Sequence, residues 1–177
     1  MGRVWFWLLV AATLGIYLTM VIWSLPLIAQ EAGGQQAFDL RPMGYTFDEA
    51  KAFLTALTPH GRSFYFDVQH RLDLLFPGLM AATLYFAIAT LLPQRLGRWR
   101  YVIALPVLAL AVFDWSENRA VAALLRAGPE GLTPEMVASA SRWSVLKAIS
   151  STIAYSMLIV LLVWKGISWM RQRRGLA

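Results

Sequence analysis

The stretch Phe113-Asp114-Trp115-Ser116-Glu117-Asn118-Arg119 closes an apolar run that begins at Tyr101. Together they are long enough to cross a bilayer, which takes about 20 residues of helix. Asp114, Glu117 and Asn118 stand at i, i+3 and i+4, so all three leave one face of a helix. Two acids and an amide inside a spanning segment are costly, and such groups face a partner or a cavity. Three further apolar runs flank this one. With 58% hydrophobic and 15% charged residues in a chain of 177, the composition is too apolar for an ordinary soluble domain. The expected fold is an all-α membrane protein, a four-transmembrane-helix bundle forming one membrane domain over residues 1–177.

The first span is expected over about 4–28, longer than the apolar region of a secretory signal, about 7–15 residues. Trp5, Trp7 and Trp23 suit its two interfaces. Ala11, Gly15 and Thr19 recur every fourth residue, either as a small-residue seam for close helix contact or as chance in an Ala-rich helix. Residues 29–46 hold Gly33, Gly34, Pro42 and Gly44 and read as a loop. Thr46 and Glu49 then have capping-box spacing. Ala50, Phe53, Leu54 and Leu57 form one apolar face. A short amphipathic helix over about 47–58 is expected, extracytoplasmic, lying on the membrane surface or lidding the bundle. Pro59-His60-Gly61 is expected to stop it, leaving His60 an exposed loop histidine.

The second span is expected over about 64–92 with Ser63 as its N-cap. Asp67 and Arg71 form an acid-first i, i+4 pair. Pro77 removes the backbone donor to the Asp73 carbonyl and predicts a kink. After the basic turn Gln94–Arg100 comes the third span, about 101–126, with Pro106 as a second kink site. Gly128–Gly131 breaks the helix, and Thr133-Pro134-Glu135 starts another with Thr as N-cap and Pro at its first position. Its spanning part is about 137–169, and the helix exceeds what a bilayer needs. Ser144, Ala148, Thr152 and Ser156 make a second four-residue seam.

Charge is divided by connecting segment. The N-terminus, the 93–100 turn and the C-terminus carry Arg3, Arg95, Arg98, Arg100, Lys165, Arg171, Arg173 and Arg174, with no acid. All ten acids and the other eight basic residues lie elsewhere, so the halves are +8 and −2, consistent with the net +6. The positive-inside rule then places both termini in the cytoplasm, in a membrane of the bacterial inner (plasma) type. The basic residues sit at span edges without a basic-aromatic recognition module, which argues against nucleic acid. There is no cysteine, which excludes disulfides and thiolate chemistry.

Alternating spans bring one polar cluster together: Asp67, Asp73, Asp114 and Glu117 against Arg71, Arg119, Arg142 and Lys147, with His70 and Asn118 among them. At 1.5 Å rise per residue, Glu117 and Lys147 both lie about 24–26 Å from the cytoplasmic boundary. A Glu117–Lys147 or Glu117–Arg142 pair is therefore expected. Asp114 lies about 20 Å up, deeper than any cation, with Ser150, Ser151 and Tyr17 at its level. Cations prefer to snorkel towards water, so hydroxyl neighbours are expected for it. Asp67-x-x-His70-x-x-Asp73 offers three ligand types, but Asp67 and Asp73 diverge, and one loose copy does not make a di-iron set. No metal is expected. Without a Gly-x-Ser-x-Gly elbow, a glycine-rich phosphate loop or a haem-attachment motif, no cofactor is expected either.

Three functional readings follow. The first is a protein acting by contact, as an accessory, assembly or stabilising subunit among other membrane protein subunits. The second is a binder or transporter of a lipid, a quinone-like molecule or a proton through an outer-leaflet polar cavity. The third is a lipid-modifying enzyme using Asp114, Glu117 or His70 as acid or base.

Overall fold

The computed structural model describes residues 2–174. Four helices are long and apolar enough to cross a membrane: α1 (Arg3–Glu31), α3 (Pro59–Leu91), α4 (Trp99–Ala127) and α5 (Pro134–Arg174). A short helix, α2 (Phe47–Ala56), lies between the first two. No strand occurs among the described residues. These four apolar helices are compatible with an integral membrane protein.

The long helices run up and down. α3 packs against α1, α4 and α5, and α4 and α5 make the most extensive interface. Consequently Arg3, the turn between α3 and α4 and the C-terminal turns of α5 share one end. There Thr90–Gln94 and Trp164–Gln172 line a common groove.

The interior is layered. One apolar cluster holds Ile28, Phe38, Phe53, Leu54, Tyr65, Leu124, Leu125 and Val137. The other holds Leu84, Ile88, Ala104, Leu110 and Ala154. Along α3, α4 and α5 the buried polar residues Gln69, Asp73, Glu117, Asn118 and Ser144 fall between these clusters. α2 turns Ala50, Phe53 and Leu54 into the first cluster and so lids that end of the bundle. The preceding loop packs with it: Phe38 stacks edge-on to Phe53 at 4.7 Å, and the Arg41 guanidinium lies 5.5–5.8 Å from the rings of Phe38, Tyr45 and Phe53. Gly44 takes φ +80°, and a Cβ there would meet Ser141 Oγ of α5 at 2.5 Å. That close approach lets the Tyr45 N–H donate to Ser141 Oγ at 2.8 Å.

Two junctions differ from expectation. α2 ends at Ala56 and Leu57 is extended. Pro59-His60-Gly61 is the first turn of α3, so the second long helix starts at Pro59 and not near Phe64. Thr58, not Ser63, is its N-cap, accepting from the Gly61 N–H. Proline suits this place because the first helical N–H has no partner in any case. The new turn is stapled to the end of α1: Thr58 donates its hydroxyl to Glu31, and His60 Nδ1 lies 3.1 Å from Glu31 Oε1. His60 is thus an exposed helix residue with an acid partner.

α1 and α3 each contain a π turn, Met20–Ser24 and Tyr65–Gln69, and the two turns pack on each other. In α1 the turn precedes Pro26, which has no N–H to give. In α3 it shifts the helical register, and Asp67 and Arg71 form no ion pair. Asp67 instead accepts from Ser63 Oγ at 2.9 Å. At Pro106 the chain tightens into a 3₁₀ turn, Leu105–Leu108.

The small-residue seams are not this bundle's contact lines. Ala11, Gly15 and Thr19 are exposed, while α1 packs through Thr13, Met20 and Ser24. Thr13 Oγ1 and Thr83 Oγ1 are 2.8 Å apart. On α5 only Ser144 of the second seam is buried; Ala148 is half-buried, and Thr152 and Ser156 are exposed. The packed face of α5 is Val137, Ala140, Ser144, Lys147, Ala154, Leu158 and Leu161. Those positions advance by threes and fours, or by seven, the period that keeps one helix face on its neighbour.

The capping box of α2 is complete, with Thr46 and Glu49 each satisfying the other's backbone N–H. The bonds from Thr46 hold the Glu49 carboxyl below the usual carboxylate range. A depressed pKa gives stability present above the unfolded value and lost as pH falls through the folded one. Thr46→Ala is expected to destabilise α2 by about 1 kcal/mol. Hydrogen exchange across 47–57 should rise in that variant at neutral pH, and in the wild type on acidification below the carboxylate range.

Candidate functional site

The site is the polar layer, and it starts from a proline. Pro77 sits inside α3 and has no N–H for the carbonyl of Asp73. That carbonyl accepts instead from Asn118 Nδ2 of α4 at 2.8 Å. One turn earlier on α4, Trp115 Nε1 donates to the carbonyl of Leu74 at 3.0 Å. Gly78 makes room, because a Cβ there would stand 3.3 Å from the Trp115 ring. Two side chains at i and i+3 of α4 thus fill the break in α3.

The Asp73 side chain is buried, 4% exposed. Gln69 Nε2 donates to both of its oxygens at 3.0 Å, and Gln69 Oε1 accepts from Ser24 Oγ at 2.5 Å. Ser24 and Gln69 are the last residues of the two π turns. One chain of hydrogen bonds therefore links α1, α3 and, through the Asp73 backbone, α4.

Lys147 supplies the cation. Its Nζ is in direct contact with Glu117 Oε2 and lies 3.8 Å from Asp114 Oδ1. The Glu117–Lys147 pair is the one that matched depth predicts. Asp114 differs from expectation: Lys147 spans both acids instead of snorkelling away, so Asp114 has an ammonium beside it. Glu117 is fully buried, which holds Lys147 at that depth.

The balance of charge also differs. Arg71, Arg119 and Arg142 are exposed and form no ion pair among the described residues. Long guanidinium side chains reach water from these positions. Asp67 is exposed as well. His70 is half-buried and stacks on Phe66 at 5.9 Å, and Arg126 covers the same Phe66 ring. Of the ten residues expected in the cluster, the layer gathers Asp73, Asp114, Glu117, Asn118 and Lys147. It holds three carboxyl groups and one ammonium. Among the described residues no three acid or histidine side chains converge as metal ligands.

Gln69 and Ser24 belong here without having been expected, and Tyr65, Asp39 and Tyr45 adjoin the layer on the loop side. Tyr65 OH donates to Asp39 Oδ2 at 2.5 Å, tying the loop to α3. Burial, with Glu117 and Asp39 nearby, pushes the Tyr45 hydroxyl above the ordinary tyrosine range. Gln69 had a legible signal, since it stands four residues before Asp73. Ser24 had none, being a lone hydroxyl in an apolar run.

In this layer Tyr45 OH, Glu117 Oε1 and Asn118 Oδ1 are buried without a hydrogen-bond partner, while Glu117 Oε2 has only its contact with Lys147. Glu117 Oε1 and Asn118 Oδ1 can only accept, so each lacks a donor such as a cation, a proton or a water molecule would supply. No family model, curated protein or solved structure matches this chain.

Removing one member of a buried pair strands the other. Lys147→Met is expected to cost about 3–5 kcal/mol, and adding Glu117→Gln should recover most of it. Reversible unfolding in mild detergent measures both; equal stability of Lys147→Met and wild type would contradict the pairing.

Proposed function

We propose that this chain is an integral membrane protein with both termini cytoplasmic, acting by contact as an accessory or assembly subunit of a larger complex in an inner (plasma) membrane. Orientation follows from the end that gathers Arg3, Arg95, Arg98, Arg100, Lys165, Arg171 and Arg173 without an acid. The observation that carries the contact role is the outward face of α1. Ala11, Gly15 and Thr19 are exposed, and a Cβ on Gly15 would meet nothing within 4 Å. Small residues let helix backbones approach closely in lipid, where area burial alone drives little association. Most hydrogen-bonding groups of the interior layer are meanwhile used between this chain's own helices.

A second reading is favoured by a different observation, the unpartnered Glu117 Oε1 in a layer with three carboxyl groups to one lysine. It makes the layer a binding or transport site for a lipid, a quinone-like molecule or a proton.

Gly15→Leu separates the two. The contact role predicts a chain that folds as the wild type, because the space is open, but loses its co-purifying subunits on gentle extraction. Asp114→Asn should leave that association intact. Retention of partners by Gly15→Leu, or a wild-type chain that emerges alone, would overturn the role.

A further inference from the structure

We infer that the turn between α3 and α4 is a binding site for the phosphate of an anionic phospholipid. The inference rests on the membrane-spanning reading above and on three independent features of the turn.

The first is geometry. Gln94, Gly97, Arg98, Arg100 and Tyr101 line a surface cavity of about 470 Å³, within the range of small-ligand sites, roughly 300–1,000 Å³. The second is an unanswered donor. Arg100 is half-buried, lies over the Tyr101 ring at 4.8 Å and donates from Nη2 to Tyr101 OH at 2.9 Å. Its Nε is shielded from water and has no protein acceptor. A phosphate oxygen in the cavity meets the outer guanidinium nitrogens of Arg98 and Arg100 instead, in the charge-assisted form that guanidinium groups favour. The third is the field. Gly97 and Arg98 lead into the N-terminus of α4, where the helix dipole and free N–H groups favour an anion. All ten acids lie outside the N-terminus, this turn and the C-terminus, so no Asp or Glu side chain of that end competes for the arginines.

A lipid fits better than free phosphate because Gly97 and Arg98 also border a neighbouring apolar hollow with Leu96, Trp99 and Val102. Trp99 is 68% exposed, Val102 50% and Ile103 42%. Acyl chains of a headgroup held by Arg98 and Arg100 can lie along these side chains, with Trp99 at headgroup level.

The test uses the full chain in neutral detergent, titrated separately with phosphatidylglycerol, phosphatidylcholine and inorganic phosphate, and read by native mass spectrometry and thermal unfolding. Phosphatidylglycerol should remain bound at one molecule per chain and raise the melting temperature; the other two should do neither. Arg98→Gln with Arg100→Gln should weaken retention by at least about tenfold, the loss expected for charge-assisted hydrogen bonds. Arg119→Gln with Arg142→Gln, at the other end, should not. If the double variant fails to fold, Arg98→Gln alone, at an exposed position, carries the comparison. Equal losses from both pairs, equal retention of phosphatidylcholine, or the same shift from inorganic phosphate would overturn the site. Carbonate washing of native membranes reads the membrane-spanning reading separately: release of the chain would overturn that reading, whatever the lipid selectivity.

Discussion

The carbonyl of Asp73 is the constraint on which the arrangement depends. A proline four residues on leaves it without its helical donor, in an interior with little water to substitute. An unmet buried acceptor costs about 1–3 kcal/mol. Asn118 meets this one at 2.8 Å, and that bond sets the height and rotation of α4 against α3. With Asn118 fixed, Trp115 falls beside Gly78, and Glu117 turns towards α5, where Lys147 reaches it. The break in one helix thereby orients three.

The polar layer lies between two apolar clusters, and its bonds run mainly between helices rather than within them. Ser24, Gln69 and Asp73 join α1 to α3, Asn118 joins α3 to α4, and Lys147 joins α4 to α5. Directional bonds specify which helix faces meet, which apolar contact alone does weakly. The two π turns belong to the same arrangement: each ends on a residue of this network. Such turns recur where a helix must present a side chain out of its regular phase.

The number of long apolar helices and the capping box of α2 were legible in the sequence because each is a local property, of hydropathy or of spacing. Glu117 with Lys147 was legible because depth along antiparallel helices is arithmetic. What failed was rotational. A seam at every fourth residue turns by about 40° per step on a 3.6-residue helix, so Ser144 is buried while Thr152 and Ser156 are exposed. The π turn at Tyr65–Gln69 moved Asp67 out of line with Arg71, and nothing local announces it, since it arises where α1 and α3 pack. Arg71, Arg119, Arg142 and Lys147 match the four acids in number, yet the three arginine side chains reach the surface. Lys147 does not, because Glu117 holds it.

The most direct test of this account is isotope-edited infrared spectroscopy of the chain labelled at the Asp73 backbone carbonyl. The account predicts a hydrogen-bonded, low-frequency band in the wild type, a shift to higher frequency in Asn118→Leu, and a return on adding Pro77→Ala, whose N–H restores the helical donor. A band unmoved by Asn118→Leu would show that the Asp73 carbonyl is satisfied elsewhere and that the helices take their register from something other than this bond.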